Sequence, residues 1–315
     1  MTESIPLGPG REFDVIRELV RRWGSAGRGI GDDAAILEVP TGTRLVASTD
    51  ATVENVHFRR EWLTPEEIGY RAATAALSDL AAMAARPIAM LVAMVVPLSW
   101  RDQLRAIADG VGEASRSFAA PISGGNLTGG SELALTFTVL GVSANPLARS
   151  GARVGDAVYV TGVLGGPRRA LEAWNARTPP EPLYRSRFAR PVARVEEALW
   201  LAAHGATAAI DVSDGLAADV RHLATASGVG ACVELDAIPA MAGVSPMDAL
   251  ASGEEYELVV TASAPFDEHA FARRFGAPLT RVGIITDPGP APGAVRVRSR
   301  GSFVDLPPGH DHFSP

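Results

Sequence analysis

Six aspartates in short segments of small residues constrain the fold of this chain more than any other feature. Carboxylates gathered without cations repel one another by about 4 kcal/mol per pair at about 4 Å and an effective dielectric constant of about 20. A fold that collects them therefore does so to bind cations, and hard oxygen ligands suit Mg²⁺, which substrate phosphates also coordinate. The aspartates are Asp32, Asp33, Asp50, Asp79, Asp211 and Asp214. The pattern predicts a site for a nucleotide polyphosphate bound through divalent cations.

Length and composition indicate a globular protein with two ordinary domains, since the chain has 315 residues, of which 47% are hydrophobic and 21% charged. A net charge of -7 argues against sequence-independent binding of nucleic acid, which requires a basic surface. The single cysteine, Cys232, excludes internal disulfides. The start of the chain lacks a secretory-signal pattern, and the longest apolar run, residues 88–98, is too short to span a bilayer. We therefore expect a cytoplasmic protein with neither a nucleic-acid nor a membrane partner.

The first part of the chain, residues 1–144, predicts an α+β domain. Its clearest helix starts at Thr64-Pro-Glu-Glu, where a capping hydroxyl, a proline in the first helical position and acids in the first turn coincide. Asp79 lies inside this helix among small apolar residues, where an acid needs a charged partner or a metal. The predicted elements are helices over residues 13–23, 65–84 and 100–118 and strands over residues 34–39, 44–48, 87–97 and 133–142.

A segment rich in Gly, Pro and Arg, residues 145–156, breaks this alternation, and we predict the domain boundary at its start. The second domain then covers residues 145–315. Residues 176–191, rich in Pro and Arg, predict a loop. The other predicted elements are a helix after residue 166, helices over 192–204 and 215–227, and strands near 157–161, 208–211, 231–235, 256–261, 280–285 and 294–297.

Three motifs carry the predicted metal chemistry, and each has a simpler structural interpretation. Gly29-Ile-Gly-Asp-Asp-Ala-Ala is also typical of a turn, and Ser48-Thr-Asp at a strand end also caps turns. Asp211-Val-Ser-Asp-Gly-Leu lies between a strand and a helix, where free N–H groups attract anions. Ordinary helix capping explains one of its polar residues but not all three. This motif favours function over capping.

Further segments suggest how a nucleotide and an acceptor bind. Ser123-Gly-Gly-Asn-Leu-Thr-Gly-Gly is interpreted as a glycine loop that approaches phosphate oxygens, although it matches neither a Walker A loop nor a Rossmann fingerprint and a hairpin turn is the alternative. Arg149 can pair with a phosphate, or be an ordinary surface arginine. Glu254 can orient a polar substrate, or belong to a solvated acidic turn, and His57 can contact substrate or be purely structural.

Read in order, these segments resemble the thiamine-monophosphate kinases, members of the PurM-like superfamily of ATP-using enzymes. The similarity runs from Glu12 to Phe313, nearly the whole chain. The segments that carry it are Gly31-Asp-Asp, Ser48-Thr-Asp, Asn55-Val-His-Phe, Leu77-Ser-Asp-Leu-Ala-Ala-Met, Arg149-Ser-Gly-Ala, Gly155-Asp-Ala-Val-Tyr-Val-Thr-Gly, Asp211-Val-Ser-Asp-Gly-Leu and Gly253-Glu-Glu-Tyr-Glu-Leu. Any one of them can arise by chance, but all of them in the family's order hardly can.

The resemblance implies an N-terminal α+β domain with a mixed sheet that dimerises, an α/β C-terminal domain, and ATP and several Mg²⁺ ions in a cleft. It implies phosphorylation of thiamine monophosphate to the diphosphate, with Asp33, Asp50, Asp79 and Asp211 as the catalytic carboxylates. The implied metal positions are Asp33, Ser48, Thr49, Asp50, Asp79, Asp211 and Asp214. The implied nucleotide positions are Gly125, Asn126, Arg149 and Ser213. The implied positions for thiamine phosphate are His57, Glu254 and His310.

Departures from the family pattern keep other functions open. The family's Gly-Gly-Asp-Thr-Thr-Arg-Gly reads Gly124-Gly-Asn-Leu-Thr-Gly-Gly in this chain, so the neutral Asn126 replaces a carboxylate and Gly129 replaces a basic residue. The family's Glu-Asp-Tyr reads Glu254-Glu-Tyr, and His310 replaces an aromatic residue. One alternative is a related synthetase in which ATP activates a carbonyl or amide oxygen of another small acceptor. The second alternative is a non-catalytic ATP-binding paralogue.

Overall fold

The chain folds into two compact units in a computed structural model that describes residues 11–28, 30, 34–289 and 292–305. The first unit comprises Met1–Leu80 and Ala85–Asn145, and the second comprises Ala81–Ala84 and Pro146–Pro315. Among the described residues, no helix combines the length and the apolar character that crossing a bilayer requires.

The first unit contains a four-stranded mixed sheet with strand order β1-β4-β2-β3. Strand β4 pairs antiparallel with β1 and β2, whereas β2 and β3 run parallel. The elements are α1 (Arg11–Trp23), β1 (Arg44–Val53), α2 (Pro65–Ala82), β2 (Arg86–Val96), α3 (Leu104–Ser117), β3 (Ile122–Gly129) and β4 (Ala134–Ser143). The predicted α+β character of this part of the chain is confirmed.

One face of this sheet is buried and the other is not. Leu135, Phe137 and Val139 of β4 are buried, whereas the alternate residues Thr136 and Thr138 are partly exposed. Helix α2 lies on the buried face, because a Cβ added at Gly141 would lie 3.2 Å from a methyl carbon of Leu80. The opposite face of the sheet carries apolar side chains that no helix of the described unit buries fully; they include Ile88, Leu91, Ala93, Val95 and Leu140.

Helices α2 and α3 cross at two glycines that leave no room for a side chain. A Cβ at Gly69 would lie 2.0 Å from the carbonyl oxygen of Ile107, and a Cβ at Gly110 would lie 1.9 Å from that of Glu66. This close crossing fixes α2, and therefore Asp79, against the sheet.

The second unit contains a seven-stranded sheet with strand order β11-β10-β7-β9-β5-β8-β6. Its core gathers β-branched and leucine side chains such as Val158, Ile210, Leu223 and Val282. The elements are β5 (Ala157–Thr161), α4 (Gly166–Asn175), α5 (Pro182–Ala189), α6 (Val195–Ala203), β6 (Ala206–Asp211), α7 (Leu216–Ser227), β7 (Gly230–Glu234), α8 (Pro246–Leu250), β8 (Leu258–Ala262), α9 (Glu268–Phe275), β9 (Leu279–Thr286), β10 (Val295–Ser299) and β11 (Ser302–Val304). A sheet combined with helices agrees with the predicted α/β second half.

Three local predictions are wrong. Residues 34–39 form no strand, and Ile36 is 92% exposed because no partner strand covers it. The predicted glycine loop at residues 123–130 is mostly strand β3, which pairs with β2. The predicted loop at residues 176–191 contains α5, which begins at Pro182 and buries Tyr184 and Phe188.

Candidate active site

The first unit brings Ser48, Asp50 and Asp79 to one face of its sheet, and we call these residues the first acidic group. Ser48 Oγ donates a hydrogen bond of 2.5 Å to Asp79 Oδ2, which joins β1 to α2. Asp50 lies two residues after Ser48 on β1 and therefore points to the same face. Two carboxylates and a hydroxyl are the hard oxygen donors that Mg²⁺ prefers, so these residues fit the predicted metal.

Thr49 points to the other face of β1, where its Oγ1 lies 3.3 Å from Oγ1 of Thr138. This follows from strand alternation, since Thr49 and Thr138 are register partners and Ser48 pairs with Val139 on the buried face. The Thr49 side chain therefore does not join the first acidic group, and Thr49 stays a predicted metal residue.

The second unit presents Asp211, Ser213 and Asp214 in one turn, residues 211–215, which we call the aspartate turn. Strand β6 ends at Asp211 and helix α7 begins at Leu216, so the turn leads from sheet to helix as predicted. Gly215 has φ +112°, a left-handed conformation that suits glycine and lets the chain enter the helix.

A residue that sequence reasoning missed, Asp219, holds the aspartate turn. Asp219 lies in the first turn of α7, is 1% exposed, and its Oδ2 accepts three backbone N–H bonds. The donors are Ser213 at 3.1 Å, Asp214 at 3.2 Å and Gly215 at 3.1 Å. The signal in the sequence is an acid in the first helical turn, directly after a motif of turn residues.

The aspartate turn is strongly electronegative. Burial raises the pKa of Asp219 well above its ordinary value, and the negative charges of Asp211 and Asp214 raise it further, while the N–H bonds from the turn lower it. Because one Asp219 oxygen is committed to three N–H groups, Asp211 and Asp214 are the better donors for a cation. Their carboxylates also fit Mg²⁺.

His222 lies near the aspartate turn but is a poor candidate for the same ion. Its Nε2 is 3.9 Å from Asp214 Oδ2, and ligand atoms of His222, Asp214 and Asp219 lie within 4.8 Å of one another. The imidazole is half exposed, and imidazole suits Zn²⁺ rather than Mg²⁺. We therefore interpret His222 as a surface neighbour of the turn.

Glu254 lies against the aspartate turn, in residues 252–257, which we call the glutamate loop. The Glu254 N–H donates to the carbonyl oxygen of Ser213 at 2.7 Å, and the Tyr256 N–H donates to that of Val212 at 2.9 Å. A Cβ at Gly253 would lie 2.5 Å from the Ser213 carbonyl oxygen, so only glycine permits this approach. The structure thus brings Glu254 together with Ser213 and Asp214.

His57 follows β1 in the first unit, and a backbone contact selects its tautomer. Its Nδ1 accepts the Val53 N–H at 3.1 Å, so in the neutral ring the proton is assigned to Nε2. The side chain is partly exposed. This arrangement makes Nε2 a hydrogen-bond donor, which suits an anionic substrate.

Gly125 and Asn126 lie on β3, at the opposite edge of the sheet from β1. A Cβ at Gly125 would lie 1.9 Å from the carbonyl oxygen of Val92, so glycine is required for the close approach of β3 to β2. Asn126 is exposed. Two strands separate these residues from Ser48 and Asp50, so the sheet does not bring the two sets together.

Arg149 lies in a short helical turn, residues 149–151, whose backbone is anchored to β6 and to the end of α7. Its carbonyl oxygen accepts from Ser227 Oγ at 2.7 Å, and a Cβ at Gly151 would lie 1.8 Å from the Thr207 carbonyl oxygen. Ser227 ends α7, which is about 17 Å long at 1.5 Å per residue, and the aspartate turn lies at the other end. The structure therefore does not place Arg149 beside Ser213. Asp33 and His310 lie outside the described residues and stay predictions.

Comparison with known proteins identifies the family. Residues 31–143 match the model of the AIR synthase related protein N-terminal domain, and residues 153–291 match that of the C-terminal domain. A thiamine-monophosphate kinase of Rhodopirellula baltica is 33% identical over 290 residues, covering 86% of this chain and 87% of that protein.

Solved structures are similar over nearly the whole chain. The thiamine-monophosphate kinase of Stenotrophomonas maltophilia is 32% identical with a TM-score of 0.80, covering 96% of this chain and 100% of that one. AaThiL complexed with AMPPCP and TMP is 29% identical with a TM-score of 0.75, covering 96% and 97%. The chain therefore belongs to the thiamine-monophosphate kinase family of AIR synthase related proteins.

Proposed function

We propose that this protein transfers the γ-phosphoryl group of ATP to thiamine monophosphate, giving ADP and thiamine diphosphate. One observation carries the proposal. The fold matches that of AaThiL complexed with an ATP analogue and TMP, and the match covers 96% of the chain. The kinase names of the R. baltica and S. maltophilia proteins favour this reaction over ring closure by a related synthetase. Residues 1–144 would form the domain that binds ATP and metal, and residues 145–315 the second domain.

The reaction needs positioning and charge compensation more than a protein nucleophile. A phosphate oxygen of the acceptor forms the new P–O bond, the bond from the γ-phosphorus to the β-γ bridging oxygen breaks, and ADP leaves with that electron pair. Because the attacking oxygen is already anionic, no strong base is required. The protein therefore has to hold two anions in line.

The first acidic group and the aspartate turn would hold the magnesium ions. The proposed ligands are Ser48, Asp50 and Asp79 in the first unit and Asp211 and Asp214 in the second, with Asp33 and Thr49 as further candidates. Mg²⁺ held by these residues would neutralise phosphate charge during the transfer.

Other residues would orient the two substrates. Ser213, Gly125, Asn126 and Arg149 are the proposed nucleotide contacts, with the Asn126 amide oxygen replacing a charged ligand. His57 would donate its Nε2–H to the acceptor phosphate. The Glu254 carboxylate would pair with the positive charge of the acceptor, with His310 as a further candidate for contacting the acceptor.

We also propose that a second copy of this chain covers the uncovered face of the first sheet. That face carries partly exposed apolar side chains beside Thr49, Thr136 and Thr138, and the edge strand β1 adds the exposed Leu45 to it. Apolar sheet faces and free strand edges are costly to leave in water. Ala93→Arg, in the middle of this face, should convert a dimer to a monomer in size-exclusion chromatography with light scattering. A wild-type protein that is monomeric at micromolar concentration excludes this dimer.

An assay with purified protein, Mg²⁺, ATP and thiamine monophosphate tests the function. The expected result is thiamine diphosphate formed in equal amount to ADP, with thiamine as the control acceptor. Thermal stabilisation by Mg-ATP without turnover would instead indicate a binding protein. Release of ADP with other acceptors only would indicate a synthetase.

A further inference from the structure

The glutamate loop alternates between two environments. Glu254 and Tyr256 pair with each other, since the Tyr256 hydroxyl donates to Glu254 Oε2 at 3.1 Å. Glu255 and Glu257 point the other way and are each 1% exposed. A candidate substrate residue thus stands next to two buried acids.

The two buried acids belong to what we call the buried ion-pair cluster: Arg187, Arg194, Glu197, Glu255 and Glu257. Arg187 Nη2 lies 3.4 Å from Glu255 Oε2 and 3.0 Å from Glu257 Oε1. Arg194 donates to both Glu257 oxygens, at 2.8 and 2.7 Å, and to Glu197 at 2.9 Å. The cluster ties the loop to α5 and α6, two elements distant in sequence.

The other Glu255 oxygen is held by uncharged donors. Glu255 Oε1 accepts from the Gly165 N–H at the start of α4 at 2.5 Å and from the Ser252 hydroxyl at 2.6 Å. Only Oε2 faces Arg187. A proton on Glu255 would therefore reside on Oε2, where it would weaken the ion pair with the Arg187 guanidinium.

The loop conformation needs this external support. Glu254 has φ +62° and Tyr256 has φ +54°, left-handed conformations that residues with side chains adopt only under constraint. Glu255 lies between them, and its side chain is anchored in the buried cluster. This anchor adds to the backbone N–H bonds that residues 254–256 donate to the carbonyl oxygens of Val212 and Ser213, and together they constrain the loop.

The cluster is short of positive charge. Three carboxylates face two guanidinium groups, so one carboxylate is the easiest to protonate. The pKa of Glu255 is raised to about 7, chiefly by burial and also by the charge of Glu257, while Arg187, Ser252 and Gly165 lower it. Burial would also raise the pKa of Glu257, but the charges and hydrogen bonds of Arg194 and Arg187 bring it below its ordinary value.

We infer that Glu255, paired with Arg187, is a positioning residue that holds Glu254 in place for the acceptor substrate. The inference rests on the proposed function, because it takes Glu254 as an acceptor contact. Asp219 holds the aspartate turn through three N–H bonds, in addition to the backbone bonds that the turn accepts from the loop. Loss of the Glu255–Arg187 pair should therefore weaken acceptor binding and leave nucleotide binding unchanged.

The test compares the wild type with Glu255→Gln, which keeps an oxygen for Gly165 and Ser252 but removes the charge that faces Arg187. The matched control is Glu197→Gln, which lies in the same cluster but contacts Arg194 rather than the loop. Isothermal titration calorimetry measures the Kd of thiamine monophosphate in the presence of Mg²⁺ and AMPPCP, and separately the Kd of Mg-AMPPCP. We expect Glu255→Gln to raise the acceptor Kd about tenfold, with the nucleotide Kd within about twofold and Glu197→Gln near wild type.

The pH dependence of the wild type provides a second measurement that needs no variant. Between about pH 8 and pH 6 the ionised fraction of Glu255 falls about tenfold, so the acceptor Kd of the wild type should rise about tenfold more than that of Glu255→Gln. Titration of the acceptor phosphate affects both proteins equally.

Two results overturn the inference: parallel pH profiles of the two proteins, or a nucleotide Kd that rises with the acceptor Kd in Glu255→Gln. A wild type that binds but does not phosphorylate thiamine monophosphate contradicts the proposed function alone. A wild type that does not bind it contradicts both.

Discussion

The aspartate turn and the glutamate loop touch each other but are stabilised in different ways. One carboxylate, only five residues beyond Asp214, fixes the aspartate turn through three backbone N–H bonds. The glutamate loop instead depends on the guanidinium groups of Arg187 in α5 and of Arg194 directly before α6, more than sixty residues away in sequence. Local support makes the turn a self-contained unit, whereas distant support makes the loop sensitive to the packing of the whole second unit.

The largest expected effect on stability comes from removing Arg194 from the buried ion-pair cluster. Arg194→Met leaves the buried Glu257 with Arg187 and the Thr161 hydroxyl, and breaking a buried pair costs about 4 kcal/mol. We expect this loss in the free energy of unfolding measured with urea. The control, Arg169→Met, breaks an exposed pair with Glu172 and should cost about 0.5 kcal/mol or less. Equal losses in the two variants would mean that the loop does not depend on the cluster.

The next effect is a pH dependence of stability that comes from Glu255 in the loop. Glu255 keeps its proton up to about pH 7 in the folded protein, against 4.5 for an ordinary glutamate. Its contribution to stability is therefore fully present below about pH 4.5 and is lost as the pH rises through about 7, a change of about 3 kcal/mol. Urea unfolding at about pH 5 and pH 8 should show the wild type losing this much more stability than Glu255→Gln. Identical losses would show that Glu255 does not titrate in this range.

Removing the Asp219 carboxylate should weaken the aspartate turn and nucleotide binding rather than the glutamate loop and acceptor binding. Asp219→Ala leaves three N–H groups without their acceptor, which costs about 2 kcal/mol and should weaken Mg-AMPPCP binding about tenfold or more. Asp219→Asn keeps one carbonyl oxygen in place and should recover most of the stability. Calorimetry with nucleotide and with acceptor separates the two effects, and an Asp219→Ala variant that loses only acceptor binding would reverse the comparison.

The smallest expected effect comes from the side of the loop that carries Glu254 and Tyr256. Tyr256→Phe removes one hydrogen bond to the partly exposed Glu254, worth about 0.5 to 1 kcal/mol. The KM for thiamine monophosphate should rise about threefold with kcat nearly unchanged, because the bond orients Glu254 without contacting the transferred group. A fall in kcat at unchanged KM would instead place this pair close to the reaction.

Sequence reasoning predicted regular elements well where hydrophobic periodicity was strong and failed where tertiary contacts override propensity. Helix α2 was predictable from Thr64-Pro-Glu-Glu, and strand β5 from its continuous apolar run. Strand β3 was not predictable, because glycines are rare in strands. Its glycines are explained only by the packing, since β2 lies so close that Gly125 has no room for a Cβ. Helix α5 was missed because Pro182 reads as a loop residue, although it occupies the first helical turn.

The sequence by itself determined the order and spacing of the acidic motifs, because oxygen ligands and turn residues are recognisable from composition and position alone. Only the tertiary structure decided which side chains support them. Arg187 and Arg194 act through buried ion pairs with Glu257, which lies more than sixty residues away in sequence. Such pairings depend on distances that folding creates, and no local pattern encodes them.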